Sequence, residues 1–480
     1  MTKLLIVSGD TVGSNMGGVG VRNWELAHAL SKYFDVTIAV PNNTDLTSER
    51  VKIVPFVLEG GDLRPYAQES NVIVLHGFVL HFHPYLVEMK IPIAIDLYVP
   101  SLLEGLVWHD EDDWNSWIPS YEEYLRVQLE LLSIGDFFFC ASERQRDYWL
   151  GWLHAQKRIN PHTYRQDPTL HQLIDVVPFG LPSQKPVKTE SVLKGTNPGI
   201  TEDDKVILWA GGLWDWLDPI TLIYAMAELV PSHPELKLYF LGTHHPNPVV
   251  SGMQMPEQTI ALSQELGLYE QSVFFGEWVA YEQRVNYLLE ADLSVITHPA
   301  HIETRFSNRT RVLDCIWTGL PIITTEGDAM TDLVQAENIG FTVPPEDVHA
   351  LTVAIDRLLA TGGRKAYLES FNNLRDRLSW DKVVEPLADY CSSPYFASDK
   401  GQYLTELDRY RKNAEAHLQR VITEKDAFLE QVVRDKDAHL EQVIKDKDEV
   451  IEYLNNRLEQ YSKILPVRVY LGIRRRLGKF

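Results

Sequence analysis

Short apolar runs alternate with longer amphipathic stretches along most of the chain. Continuous apolar runs are typical of strands buried on both faces of a parallel sheet, and the stretches between them have the apolar spacing of helices. The alternation predicts an α/β protein with two doubly wound, Rossmann-like domains over residues 1–183 and 184–378. The predicted strands include KLLIV, VTIAV, NVIVL, IPIAI and DFFFC in the first domain, and VILWA, LKLYF, SVFF, LSVIT and PIITT in the second.

The stretch between LSVIT and PIITT predicts a β-α-β unit with a long polar first loop. Its helix is expected over Asn308–Thr318, with Ser307 or Asn308 as the N-cap and Gly319 in the left-handed C′ position.

Several charged residues lie close to the start of that helix: Glu303, Arg305, Arg309 and Arg311. Ligands of open α/β sheets bind beyond the carboxyl ends of the strands, and helix N-termini favour anions. We therefore expect Arg309 and Arg311 to bind an anionic ligand, with a phosphate ester as the leading interpretation.

Glycine pairs follow the first strand of each predicted sheet, namely Gly17–Gly18 and Gly211–Gly212. Glycine lets the backbone approach a ligand at a helix N-terminus. The first loop lacks the G-x-G-x-x-G spacing, and VTIAV is not followed by the acidic residue that would hold an NAD ribose. A dinucleotide-binding domain is therefore disfavoured, while a tight turn without a ligand stays open.

His76 and Asp96 follow two further strands of the first domain. Both side chains are expected where strand ends meet the cleft, which makes them candidates for catalysis. A structural role is the alternative for each, and more so for the lone histidine.

The segment Asp314–Pro321 (DCIWTGLP) resembles the E-A-M-A-C-G-L-P segment of retaining GT-B glycosyltransferases of family 4, and other segments of residues 1–390 follow in that family's order. The resemblance implies that Asp314 binds the ribose of a nucleotide-diphosphate sugar. It also implies that the glycine loops lie beside the donor phosphates and the acceptor. Residues 379–395 would form the helix that crosses back to the first domain.

The chain departs from the family's phosphate-binding pattern. Gly212 stands where the family has an Arg, and Leu217 or Asp218 stands near its Lys. We expect Arg309 and Arg311 to replace this clamp.

The E-x7-E motif of the family is also altered. Asp314 replaces the second Glu, and Phe306 falls where the first is expected. Glu303, the nearest acid, is the candidate for binding donor sugar hydroxyls.

The resemblance implies a transferase that retains the anomeric configuration. Since arginines and helix N-termini would neutralise the diphosphate, no metal is expected. The C-terminal segments described below favour a glycan or lipid-linked acceptor in cell-surface polysaccharide synthesis. Two other interpretations stay open. One is a catalytically degenerate GT-B protein that serves as a membrane-bound scaffold, and the other is a GT-B sugar-nucleotide epimerase.

Residues 402–464 repeat every eleven residues, with Leu418, Leu429, Leu440 and Ile451 in equivalent positions. Eleven residues over three turns predict a nearly straight or right-handed coiled coil. The apolar stripe is expected to pair with a second copy of the chain, giving a homo-oligomer; a single solvated helix is the alternative.

The last segment, residues 465–480, mixes apolar residues with five basic ones and has no acidic residue. This composition is typical of an interfacial helix on an anionic membrane surface, with residues 466–480 as the contact. Docking on the protein's own acidic surface is the alternative.

The net charge of −22 over 480 residues disfavours nucleic-acid binding. The three cysteines have no zinc-site spacing, and the N-terminus lacks a signal-peptide pattern. We therefore expect a cytoplasmic protein, peripheral on the inner face of the cell membrane, without metal. The acidic run HDEDDW (109–114) is interpreted as a solvated loop and not as the D-x-D metal motif of GT-A enzymes.

Overall fold

The computed structural model describes residues 1–108, 114–244, 253–463, 465–476 and 478. Within them, thirteen strands form two sheets in which every pair is parallel. The first sheet contains β1 (Lys3–Val7), β2 (Asp35–Val40), β3 (Val51–Pro55), β4 (Val72–Leu75), β5 (Ile93–Asp96), β6 (Phe137–Cys140) and β7 (Ile174–Val176). The second contains β8 (Lys205–Ala210), β9 (Leu236–Leu241), β10 (Val273–Phe275), β11 (Leu293–Ile296), β12 (Ile322–Thr325) and β13 (Gly340–Val343).

Helices connect the strands on both faces of each sheet. Those before the second sheet are α1 (Gly18–Leu30), α2 (Arg64–Ala67), α3 (Val79–Phe82), α4 (Tyr85–Glu88), α5 (Ser101–Trp108), α6 (Trp114–Ile134), α7 (Glu143–Ala155) and α8 (Pro161–Gln166). Those of the second sheet are α9 (Pro219–Leu229), α10 (Met255–Glu265), α11 (Arg284–Glu290), α12 (Ile302–Phe306), α13 (Thr310–Thr318), α14 (Ala329–Ala336) and α15 (Val348–Ala360). A 3₁₀ helix (Gly363–Tyr367) then leads to α16 (Leu368–Arg377), α17 (Trp380–Val383), α18 (Glu385–Ser392), α19 (Lys400–Lys463) and α20 (Leu465–Arg476).

Both sheets have the same topology. Their strand orders are β3-β2-β1-β4-β5-β6-β7 and β10-β9-β8-β11-β12-β13, so the winding direction changes between β1 and β4 and between β8 and β11. Ligands of open α/β sheets bind at such switch points, beyond the carboxyl ends of the strands. The fold thus places the loops after β1, β4, β8 and β11 at the candidate site.

The central strands are continuous apolar runs because both of their faces are covered. β4, β6 and β11 are buried along their whole length. The edge strand β3 instead has two exposed positions among its five, and it was not among the predicted strands.

Local capping fixes the start of α9 and the end of α13. The side chain of Asp218 accepts a hydrogen bond from the Thr221 amide at the start of α9, with Pro219 in the first turn. Gly319 ends α13 with φ of 70°, the left-handed conformation expected of it.

The predicted N-cap of α13 is wrong. The cap is Arg309, without a side-chain cap bond, and Ser307 instead ends the short helix α12. The stretch expected to be a long loop therefore contains a helix of its own, which leaves three residues between α12 and α13.

The chain passes twice between the two sheets at one point. The Leu181 amide donates to the Leu378 carbonyl at 2.6 Å, and the Trp380 amide donates to the Leu181 carbonyl at 3.1 Å. A Cβ on Gly180 would lie 2.6 Å from the Trp380 ring, so glycine allows this close crossing.

Beyond the second crossing, the chain packs on the first sheet. Tyr390 of α18 stacks on Phe137 of β6 with ring centroids 4.7 Å apart. Arg158 and Asp399 form a fully buried ion pair with distances of 3.0 and 3.2 Å, and Lys400 pairs with buried Asp136. The start of α19 is therefore held in the first domain by two buried charge pairs.

Residues 404–480 form a separate compact unit that contains most of α19 and all of α20. α19 is one continuous helix of 64 residues. Leu418, Leu429, Leu440 and Ile451, the equivalent positions of the eleven-residue repeat, are 54–60% exposed. A search of the described residues finds no helix long and apolar enough to cross a membrane.

Candidate functional site

A cavity of about 220 Å³ lies between the two domains, at the switch points of both sheets. Its walls come from the α1 N-terminus, the crossing segment at Phe179–Pro182, the loops after β8, β9 and β10, and the start of α13. The lining residues are Met16, Gly17, Gly18, Val21, Phe179, Gly180, Leu181, Pro182, Ala210, Gly211, Gly212, Trp214, Leu241, Gly242, Trp278, Val279, Tyr281, Arg284, Leu288, Thr310, Arg311, Leu313 and Asp314.

Gly17 and Gly18 leave open space in the cleft. A Cβ on Gly18 would meet nothing within 4 Å, and one on Gly17 would meet only a carboxyl oxygen of Asp10 at 3.9 Å. Packing therefore does not demand glycine here, whereas access to the backbone at a helix N-terminus does.

Gly211 and Gly212 make room for two side chains of the cleft. Gly211 has φ of 141°, and a Cβ there would lie 2.9 Å from Nε of Arg311. A Cβ on Gly212 would lie 3.1 Å from both Trp214 and Trp278. The glycine pair thus lets Arg311 approach the loop after β8.

Arg311 is a partly buried cation without a counter-ion in the part of the chain that the structure describes. Its Nη2 donates to the Gly212 carbonyl, its guanidinium lies 5.3 Å from the Trp209 ring centroid, and its Nη1 is buried without a hydrogen-bond partner. Burial, together with the charge of Arg309, lowers the pKa of Arg311 to about 9. A partly buried guanidinium without a counter-ion on the wall of a cleft is suited to bind an anion.

Asp314 also lines the cleft, and it is paired with Arg284 of α11. Nε of Arg284 lies 3.1 Å from both carboxyl oxygens, and Nη2 lies 3.0 Å from Oδ1. Burial acts to lower the pKa of Arg284, but the neighbouring Asp314 and Tyr281 more than reverse this effect and raise it. The sequence analysis did not identify Arg284 as a site residue.

Tryptophan rings form another part of the wall. Trp214 and Trp216 stack with centroids 5.2 Å apart, and Trp278 meets Trp214 edge-on at 6.4 Å. Flat apolar rings beside cationic and acidic side chains suit a ligand that carries a planar base together with charged and polar groups.

Glu303 and Arg309 bind each other and do not line the cavity. Nη2 of Arg309 lies 2.7 Å from Oε2 of Glu303, and the two side chains are 9% and 1% exposed. Arg309 also approaches Asp328, with Nε 3.9 Å from Oδ2. The geometry favours a structural charge network here over the predicted phosphate clamp and sugar contact.

Unpaired polar atoms accumulate around this network. The described residues supply no hydrogen-bond partner for four buried atoms: both side-chain amide atoms of Asn308, Nε of Arg309 and Oγ1 of Thr324. Buried polar atoms without partners are costly, so a polar ligand or ordered water is expected beside them.

His76 lies at the carboxyl end of β4 but does not line the cavity. Its Nε2 accepts a hydrogen bond from the Gly9 amide at 3.0 Å, so the neutral ring carries its proton on Nδ1. Burial lowers the pKa of His76, and Asp96 and Asp10 oppose this decrease. His76 therefore offers a hydrogen-bond donor at neutral pH and not a charge.

Asp96 is held by Arg22 of α1. Arg22 reaches its two oxygens at 2.6 and 3.2 Å, and the Tyr98 amide donates to it at 3.1 Å. Arg22 is 1% exposed. A carboxylate engaged in this way in a buried pair is suited to fixing α1 against β5 rather than to proton transfer.

A further acid from the first domain faces this region. Burial raises the pKa of Glu104 on α5 to about 7, the negative charge of Glu303 adds to the increase, and Arg309 opposes it. α5 contacts α12, and Gln145 donates to the Phe306 carbonyl at 2.9 Å. Two carboxyl groups from different domains thus approach each other beside the cleft.

Metal ligands were not expected, and in the described ranges no group of three or more His, Cys, Asp or Glu residues could hold a metal ion. His109–Asp113 of the acidic run lies outside the described residues.

The structure thus brings together six of the ten predicted site residues in the cleft: Gly17, Gly18, Gly211, Gly212, Arg311 and Asp314. His76, Asp96, Glu303 and Arg309 lie outside its lining. Arg284 and Tyr281 were not predicted from the sequence. Their signal was weak, because Arg284 lies in the first turn of α11 and Tyr281 in the turn before it, where polar residues are usually solvated.

Two doubly wound domains facing each other across a cleft define the GT-B class. Within the second domain, residues 204–361 match the model of the glycosyl transferases group 1 family. The expected fold class and the resemblance to family 4 glycosyltransferases are thereby confirmed, whereas pairing of the long helix stays a prediction.

Curated relatives agree with the family assignment. A D-inositol 3-phosphate glycosyltransferase of Acidothermus cellulolyticus is 25% identical over 234 residues, which are 49% of this chain and 50% of the relative. The protein of the same name from a Nocardioides species is 26% identical over 197 residues, 40% of this chain and 42% of the relative. The chain therefore spans about half the length of the curated relatives it matches.

Solved structures share the fold. A sucrose-phosphate synthase from Thermosynechococcus elongatus has a TM-score of 0.56 at 16% identity, covering 87% of this chain and 100% of that one. HepE of Anabaena in complex with UDP-glucose has a TM-score of 0.55 at 15% identity, covering 82% and 100%.

Proposed function

We propose that this protein is a glycosyltransferase that moves a sugar from a nucleoside diphosphate sugar to an acceptor hydroxyl. The observation that carries the proposal is Arg311, a partly buried guanidinium on the wall of the interdomain cleft for which the described residues supply no counter-ion. The group 1 family match and the likeness to HepE with UDP-glucose support it.

Each wall of the cleft has a role in this proposal. Departure of a nucleoside diphosphate develops negative charge, which Arg311 and the N–H groups at the starts of α1 and α13 are placed to stabilise. Asp314 is placed to accept hydrogen bonds from ribose, and Trp214 and Trp278 offer surfaces for the base. In this mechanism, Arg311 and the helix N–H groups stabilise the charge of the phosphates, and no metal is needed.

Transfer with retention of the anomeric configuration is proposed from the family resemblance alone. Glu303 stays the candidate for contact with the donor sugar, although its pairing with Arg309 means that it would act through a shared hydrogen-bond network. His76 and Asp96 would act from the first domain, His76 as a donor and Asp96 by fixing α1.

A glycan or lipid-linked acceptor in cell-surface polysaccharide synthesis fits the C-terminal unit. The exposed stripe of α19 suits pairing with a second copy, and α20 carries Arg474, Arg475 and Arg476 beside exposed Val469, Tyr470 and Ile473. Such a helix suits an anionic membrane surface on the cytoplasmic side. A degenerate scaffold protein would use these same features without an active cleft, and a sugar-nucleotide epimerase would use the cleft without an acceptor.

The test is nucleotide binding and turnover by the full chain. We expect one of UDP, GDP or ADP to bind, and Arg311→Met to weaken that binding by about 1.5–3 kcal/mol, because a charge-assisted contact is lost. Arg305→Met is the matched control, since Arg305 is exposed on α12 and does not line the cavity.

Three outcomes separate the interpretations. Transfer of label from the sugar nucleotide to an acceptor supports the transferase, and formation of an isomeric sugar nucleotide supports the epimerase. If no nucleotide binds to the folded wild-type protein, the cleft is not a donor site and the scaffold interpretation stands.

A further inference from the structure

Arg284 and Asp314 form a geometrically defined pair inside the cleft. Nε and Nη2 of Arg284 make three contacts of 3.0–3.1 Å with the carboxylate, so the two planar groups meet as a fork. The Asp314 side chain is still 26% exposed and the Arg284 side chain 13%. Part of the carboxylate therefore remains open to the cavity.

Arg284 is itself held from two sides. Its guanidinium lies 3.5 Å from the Tyr281 ring centroid and 5.3 Å from that of Trp317, and its Nη1 donates to the Tyr281 carbonyl. A guanidinium fixed by stacking and by hydrogen bonds loses little freedom when it binds a carboxylate.

Tyr281 connects this pair to the first domain. Its amide donates to the Ser14 carbonyl at 3.1 Å, and its hydroxyl donates to Glu25 of α1 at 3.3 Å. The support of Asp314 therefore extends from α13 through α11 to the helix whose N-terminus borders the same cleft.

We propose that Arg284 is a positioning residue, which holds the Asp314 carboxylate so that the acceptor sites left open on its oxygens take hydrogen bonds from the ribose hydroxyls of the donor. The inference rests on the proposed function, since it takes the ligand to be a nucleoside diphosphate. An aspartate has two rotatable side-chain bonds, and contacts from Arg284 to both of its oxygens fix the plane of the carboxylate. Each carboxylate oxygen can accept more than one hydrogen bond, so both keep capacity for a pair of neighbouring hydroxyl groups.

The experiment uses the full chain and the ribonucleoside diphosphate that binds most tightly among UDP, GDP and ADP, together with its 2′-deoxy analogue. Calorimetry gives the ratio of the two dissociation constants. We expect the wild type to prefer the ribonucleotide at least fivefold. In Arg284→Met this preference falls to within about twofold, and in Arg284→Lys it is partly restored, since charge returns without the fork.

Asp314→Asn should also remove the preference. In the Asp314→Asn background, Arg284→Met should cause no further loss, because a residue that acts only through Asp314 has nothing left to position. Arg311→Met should weaken both nucleotides equally and leave their ratio unchanged.

Two results would overturn the proposal. One is an unchanged preference in a folded Arg284→Met or Arg284→Lys protein. The other is an equal loss of affinity for both nucleotides in these variants, which would make Arg284 a direct phosphate ligand. Absence of binding by the wild type is a different result, because it contradicts the proposed function itself.

Discussion

Glu104 makes the stability of the protein depend on pH between 4.5 and about 7, above the range in which most carboxyl groups titrate. Burial and the charge of Glu303 raise the pKa of Glu104 from 4.5 to about 7 in the folded protein, while in the unfolded chain it keeps its ordinary value. Between these two values the folded state holds one more proton than the unfolded state. Stability from this group therefore falls as the pH rises from 4.5 through 7.

The magnitude follows from the same pair of values. Each pH unit between the two pKa values corresponds to 1.36 kcal/mol, so the move from 4.5 to about 7 amounts to about 3 kcal/mol. The side chain is partly exposed, and solvent screening reduces this to about 2 kcal/mol. For a domain of this size, about 2 kcal/mol corresponds to roughly 4–8 °C in Tm.

The perturbation is Glu104→Gln, which keeps the shape and cannot ionise. Below pH 4.5 both proteins carry a neutral side chain and should melt together, while at pH 8 the variant should melt about 4–8 °C higher. Differential scanning calorimetry from pH 4.5 to 8.5 measures the difference. Glu88→Gln, an exposed carboxyl group of the same domain, is the control. A Tm difference independent of pH, or one that favours the wild type at pH 8, would refute the reasoning.

Further predictions concern the buried pairs, the metal and the C-terminal unit. Arg158→Met should cost about 3–5 kcal/mol in urea unfolding, because it leaves Asp399 buried without its partner; a loss below 1 kcal/mol would show that water reaches the site. Transferase activity should survive EDTA, and loss that magnesium restores would contradict a clamp built on Arg311. Leu440→Asp should convert an oligomer to a monomer in light scattering with unchanged nucleotide binding, whereas an unchanged mass would leave α19 a single helix. Truncation after Leu465 should release the protein from anionic vesicles, and truncation after Tyr403 is the monomeric comparison, since it keeps Asp399 and Lys400 in their buried pairs.

The sequence was sufficient for the doubly wound architecture because strands buried on both faces appear as continuous apolar runs. It was insufficient at the edge of the first sheet, where β3 pairs with β2 alone among the described strands and two of its five positions are exposed. It also missed α12, since a polar helix of five residues has no periodicity to detect.

For the site, the sequence showed where charged side chains lie along the chain but not which of them form ion pairs. Arg309 and Arg311 lie two residues apart near the same helix start, yet one pairs with Glu303 while the other faces the cleft without a counter-ion. Asp96 is similarly engaged by Arg22, which is 74 residues away in the chain. Pairing across such separations is set by how the elements pack, and no local pattern encodes it.

The double crossing at Leu181 has a mechanical consequence. Two chain segments are joined side by side by hydrogen bonds here, with Trp380 packed over Gly180. Such a hinge resists sliding and twisting of the domains but allows bending. We expect the domains to open and close about one axis through this point. Phe179, Gly180 and Leu181 also line the cavity. The axis of domain opening therefore runs along one wall of the cleft, and a ligand bound in the cleft contacts the hinge.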